Sequence, residues 1–153
     1  MKTIADPAVL EDVITRLGRL TPASERRWGT MTPAELLCHL GDNMEMALGT
    51  REVPSTAYHG WASRLIKFMI LKTAMPFPKG VMTRPRLDPR REGTKPEGFE
   101  ADRARVVRGL RALSAVNGAE PGPIHGRFGP MTMADWQRQG FRHTDHHLKQ
   151  FGL

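Results

Sequence analysis

With 153 residues, 39% of them hydrophobic and 25% charged, the chain has the size and balance of one soluble globular domain spanning residues 1–153. Its opening, MKTIADPAVLED, carries three acids and no apolar run. It does not read as a secretory signal. The most apolar stretch, residues 61–75, is interrupted by Arg64, Lys67 and Lys72 and falls short of a membrane span, so a cytoplasmic protein is expected.

A formal net charge of +7 could draw nucleic acid, an anionic membrane surface or an acidic small molecule. The arginines are spread over many segments without the aromatic interleaving that stacks bases. A solvated basic surface is the expectation, with no specific nucleic-acid partner and no membrane partner. Cys38 is the single cysteine, so no intramolecular disulfide can form. It reads as a small buried apolar residue rather than a reactive thiol.

Residues 6–20 read as a helix. Asp6 can cap it, Pro7 suits its first turn, and Val9, Leu10, Val13, Ile14 and Leu17 recur at helical spacing. A connector over 21–31 holds Trp28, expected as a cover on the core edge rather than a ligand-stacking ring. Thr32-Pro33-Ala34-Glu35 then opens a second helix with a capping box, running to about Leu48. Leu36, Leu37, Leu40, Met44 and Ala47 form its stripe, and His39 and Asn43 lie along one margin of it.

After a loop over 51–57, residues 58–75 look helical, with Trp61, Ala62, Leu65, Ile66, Met69 and Ile70 on a broad apolar face. Core packing is the first reading of that face, and a homodimer contact the second. Residues 76–98 contain five prolines and three glycines among many charges. They predict a long crossover or flap, from which Arg84, Arg86, Arg90 and Arg91 could reach an anion, although solvated charge is the plainer reading. Residues 99–115 form a helix with Val106, Val107, Leu110 and Leu113 inward. A turn-rich connector with His125 leads to the last helix, which opens at Thr132 with a weaker capping box to Asp135.

In that last helix Met133, Trp136, Gly140, His143 and His147 share one stripe, so the two histidines sit one above the other on the face that meets the core. His146 is turned aside by roughly 80–100°. Gly140 should clear space beside the histidines. Two inward imidazoles are awkward in an apolar core, because each ring has a donor and an acceptor to satisfy. A divalent metal takes one nitrogen from each, and His39 is the natural third ligand. Three protein ligands leave an open position, the catalytic rather than the structural pattern. A cation there would lower the pKa of a bound water or thiol. Asn43, Gln139 and Gln150 are candidates to orient the rings. No catalytic residue beyond the metal ligands can be named, because no general base is evident.

The segments WGTMTPAELLCHL at 28–40, HGRFGPMTMADW at 125–136 and HTDHHLKQFGL at 143–153 resemble the DinB-like superfamily, closest to a bacterial branch of it. The resemblance covers most of the chain apart from the Pro/Arg-rich crossover. It implies an all-α, up-down-down-up four-helix bundle with a long crossover and a short extra segment, often dimeric. It also implies a divalent metal held by one histidine of the second helix and an HxxxH pair of the last. On this chain those are His39, His143 and His147. Members of the family include metal-dependent transferases of low-molecular-weight thiols and a mycothiol-dependent isomerase. The expectation is therefore a metal-dependent enzyme that activates water as a hydrolase or a low-molecular-weight thiol as an S-transferase, on an unidentified small molecule. Zinc or nickel is the expected ion. The rival expectation is a non-catalytic metal-binding or stress-response bundle.

Overall fold

In the computed structural model, which describes residues 1–54, 60–73 and 75–153, three of the helices start at a side-chain cap the sequence announces. Asp6 accepts a hydrogen bond from the Ala8 amide and opens α1, Pro7–Gly18. Thr32 and Glu35 satisfy each other's backbone amides, the hydroxyl taking the Glu35 N–H at 3.2 Å and the carboxylate taking the Thr32 N–H at 2.7 Å, and α2 follows over Pro33–Ala47. The Arg90 guanidinium holds the Glu35 carboxyl down at about 2, so this cap stays ionised. The weaker pair expected at Thr132 and Asp135 also forms, opening α5, Met133–Gln150. Between them lie α3, Trp61–Lys72, a 3-10 turn at Pro85–Leu87, and α4, Phe99–Ala115. No strand occurs among the described residues; two isolated bridges, Pro121 with Thr132 and His125 with Gly129, fold the connector before α5 back on itself.

Residue pairs along the helices give their directions. Ile4 N–H donates to Gln137 O near the start of α1, and Arg16 at its end meets Asp145, so α1 and α5 run parallel. Arg103 reaches Leu20 O while Arg111 pairs with Glu11, so α4 opposes α1. Cys38 and Asp42 meet Arg105, and Met44 meets Gly109, so α2 and α4 run together. The bundle is thus up-down-down-up in α1, α2, α4 and α5, as the sequence implied. A Cβ at Gly109 would stand 2.6 Å from Met44 Cβ, so the close α2–α4 approach depends on that glycine. Leu17, Leu36, Leu40, Leu110, Trp136 and Leu148 close the core completely.

The fifth helix, α3, is the extra segment, and it packs on the outside of α5. The expected inward face holds at Ile70, which is buried, and at Ile66, which packs against the core, and is corrected at Trp61 and Leu65. Trp61 is 77% exposed and Leu65 48% exposed, and they form a stripe with Phe68, whereas Ser63, Ile70 and Leu71 are buried. The reason is electrostatic. Lys67 and Lys72 both reach Asp135 at 3.0 Å, and Lys67 also donates to Pro130 O. Holding these lysines toward α5 turns the aromatic stripe away. The expected loop over 51–57 and helix start at Tyr58 fall partly on residues 55–59, outside the described residues.

Gly140 also has a different reason from the one expected. A Cβ there would press on Ile4 Cδ1 at 3.2 Å and Leu113 Cδ2 at 3.3 Å. It lets α1's leading residues and α4 approach α5, and does not make room for the histidines.

Candidate metal centre

The antiparallel crossing of α2 and α5 brings His39, His143 and His147 together. Because α5 rises 1.5 Å per residue, the i and i+4 rings stack along one face, and His39 meets them from the opposite helix. Their Nε2 atoms converge: His39 and His147 each stand 3.2 Å from His143. This cluster could hold a metal ion.

Two of the three rings have their outer nitrogen engaged. His39 Nδ1–H donates to Leu87 O at 2.8 Å. Gln150 Nε2–H donates to Trp28 O at 2.7 Å, which leaves Gln150 Oε1 to accept from His147 Nδ1–H at 2.9 Å. Both bonds fix the tautomer. In a neutral ring with its proton on Nδ1, Nε2 presents a bare lone pair. So His39 and His147 each aim a lone pair at His143 Nε2, which has at most one proton to offer them.

The protonation states favour the same chemistry. Burial holds the pKa of His39 below the ordinary histidine range. Burial and then the neighbouring imidazoles push His143 and His147 well below it. The rings are therefore neutral at neutral pH, the form that ligates. The polar bookkeeping remains incomplete without another group. His143 Nδ1, Asn43 Oδ1 and Gln139 Oε1 are all buried without a hydrogen-bond partner. A divalent cation would answer three converging lone pairs that no donor in the chain can satisfy together, so the residues present fit the ion.

Of the candidate orienting residues, Gln150 holds a ring, whereas Asn43 and Gln139 make no bond to one. The sequence reading missed Leu87 O, because a backbone acceptor leaves no side-chain signature. The one hint is that Leu87 is a lone apolar residue in a basic, proline-rich run, and it is buried.

Two further histidines among the described residues stand apart from the triad. His146 lies beside it, with its ring 5.2 Å from that of His147, 5.8 Å from Phe77 and 6.1 Å from Trp28. His125 stacks on Phe128 at 4.2 Å, and its Nδ1 accepts the Arg127 and Phe128 amides. Burial, with Arg84 and Arg127 adding to it, lowers His125 to about 3. It builds a turn. Cys38 is fully buried, and burial raises its thiol to about 12, which removes the thiolate a reactive cysteine needs. Trp28 is half-buried with Lys79 Nζ 4.2 Å above its ring.

The crossover arginines are largely spent on the protein itself. Arg84 donates to Pro54 O, Arg86 to Glu52 O, and Arg90 to Glu35 and Thr30 O. They brace the crossover that delivers Leu87.

A family model described as the DinB superfamily matches residues 8–151. No curated protein and no solved structure matches the chain.

Proposed function

The chain belongs to the DinB superfamily, and from that premise we propose that it is a metal-dependent enzyme whose ion is held by His39, His143 and His147. One observation carries the reading. Leu87 O and Gln150 each pin the outer nitrogen of a ring, so lone pairs from two helices are fixed on one point before any ion arrives. When bound, a divalent ion on three imidazoles supplies Lewis acidity that makes water or a low-molecular-weight thiol nucleophilic near neutral pH. The chain's own work is to keep the rings neutral, hold their orientation and shield one side of the site with Phe77, whose ring lies 6.1 Å from that of His143. Hydrolysis and S-transfer are the two reactions this supports, with zinc or nickel as the ion and an unidentified small molecule as substrate. The outward stripe of α3 supports a homodimer.

Metal analysis of untagged protein tests the site. About one divalent ion per chain is expected, lost in the double variant His143→Ala and His147→Ala. In Gln150→Ala, competition with a chelator should show roughly 10–100-fold weaker binding. Protein that carries no ion, or a double variant that keeps all of it, would sink the reading.

A second reading, a non-catalytic metal-binding or stress-response bundle, is favoured by the acids nearest His39. Asp42 is occupied by Arg51, Arg105 and Thr94, so this buried carboxylate is not free to move a proton, and Asp88 already accepts the Arg90 amide on one oxygen. Chelation that lowers the melting temperature, with no turnover on panels of thiols and esters, would favour this bundle over the enzyme.

A further inference from the structure

Beside the histidines, on the other side of Phe77, the α5 surface opens into a hollow of about 320 Å³. Phe77 and His146 both line it, and each also packs its ring against a ring of the triad. The hollow and the metal centre are therefore separated by a single layer of side chains.

Its charge is one-sided. Lys2, Arg138, Arg142 and Lys149 line it, against one acid, Asp145. That acid is already committed, to Arg16 at 2.8 Å and to Lys149 at 2.7 Å. Lys2 has only the Phe141 ring, at 6.0 Å. Arg142 donates to two backbone carbonyls, Thr73 O and Met75 O, and its nearby acid is again Asp145, shared with Arg16 and Lys149. Arg138 has no acidic partner among the described residues, and its Nε is buried without an acceptor.

A buried guanidinium nitrogen with nothing to donate to is costly in a finished structure. Four basic side chains sharing one concavity with a single acid, itself paired to Arg16 and Lys149, leave an excess of positive charge there. Both costs vanish if an oxyanion enters, because a guanidinium fork matches the geometry of a carboxylate or a phosphate. The size argues for a small molecule: the volume lies at the low end of small-molecule sites, and nucleic acid would need an extended basic track. Phe77 and Phe141 supply apolar walls for the part of the ligand that joins its anionic end to its reacting end.

We propose that this hollow is the subsite for an oxyanionic group, carboxylate or phosphate monoester, on the substrate or thiol processed at the adjacent metal centre. Arg138 and Lys2 are its specificity-determining residues, and Arg142 fixes its floor. The assignment to a substrate rests on the metal-enzyme reading above. The anion site itself does not, because its readout is binding.

The test is calorimetric titration of the full chain with inorganic phosphate and with succinate, alongside amide NMR shift mapping. Saturable binding is expected, with shifts centred on Lys2, Arg138 and Arg142, and the tighter of the two probes names the anionic group. Arg138→Gln removes no existing bond and should fold. It should weaken the binding about tenfold or more, with Arg138→Lys in between. Shifts centred on His39 and unchanged by Arg138→Gln would mean that the anion sits on the metal, and would overturn the subsite. So would the absence of saturable binding by either probe. A metal-free protein that still binds these anions at Arg138 would defeat the enzyme reading and leave the hollow standing.

Discussion

The imidazoles packed inside the described part of the chain pose the same problem, and two kinds of answer to it are visible. At His125 the solution is internal. Two backbone amides donate to Nδ1, so a proton added there would face two N–H donors and no acceptor. Its folded pKa, about 3 against an ordinary 6.5, is lower than in the unfolded chain. The unfolded chain therefore binds the proton first as the pH falls. The contribution to stability is complete above about 6.5 and declines as pH drops toward 3. Between pH 7 and pH 5 the loss should be about 2 kcal/mol. In His125→Asn the side-chain oxygen takes over the Nδ1 acceptor role without a titrating ring. Urea unfolding in chelator at both pH values should show a lower stability at pH 7 and a flatter fall to pH 5. An unchanged fall would disprove the assignment.

At His39, His143 and His147 the internal solution is incomplete, and an ion is what we propose completes it. These residues were legible in the sequence because helical pitch alone puts positions 143 and 147 on one face, and the capping box fixes where His39 faces. The acceptors behind them were legible only when they were side chains. Gln150 could be named, one turn beyond His147. Leu87 O could not, since any residue carries a carbonyl, and only the path of the crossover decides which one arrives.

At the scale of elements, the crossover is where local pattern fails and packing takes over. Its prolines and charges exclude a long helix, and nothing in their spacing says that the segment is held in place. Asp42 does the holding. It is fully buried on α2 and accepts from the Thr94 amide and hydroxyl while pairing with Arg51 and Arg105, each at 2.9 Å. Three parts of the chain meet on one carboxylate. Removing one member of a buried ionic network strands the others without water. Asp42→Ala should therefore cost about 3 kcal/mol in chemical denaturation; a loss under about 1 kcal/mol would show that the network is incidental. The face of α3 was misjudged at Trp61 and Leu65, though not at Ile66 and Ile70, for a related reason. Its hydrophobic spacing predicted an inward face, but Asp135 on α5 recruits Lys67 and Lys72, a long-range pairing that the spacing within α3 does not encode.

For the whole molecule, the fold was legible from the cap signals and the family resemblance together, and the surface was not. Solvated charge does not describe Arg84, Arg86 and Arg90, which bond to the protein. It also missed the excess of positive charge beside Phe77, which arises only when residue 2 and residues 138–149 come together. The stripe of Trp61, Leu65 and Phe68 is the other surface feature that folding creates, and an exposed apolar stripe of this kind favours self-association. Sedimentation should find a dimer that becomes monomeric in Leu65→Glu with Phe68→Glu. A monomeric parent protein would remove α3 as an interface.

The three histidines lie on only two helices, yet those helices are far apart along the chain, with His143 standing 104 positions after His39. With Cys38 alone, the molecule has no covalent means of joining distant segments. An ion shared by these rings is a reversible cross-link closing most of the chain into one loop. Long loops are where a cross-link takes most conformational freedom from the unfolded state, because closure entropy grows with the length enclosed. The same three nitrogens that offer an open site for chemistry thus occupy the positions at which a single staple would restrain the chain most.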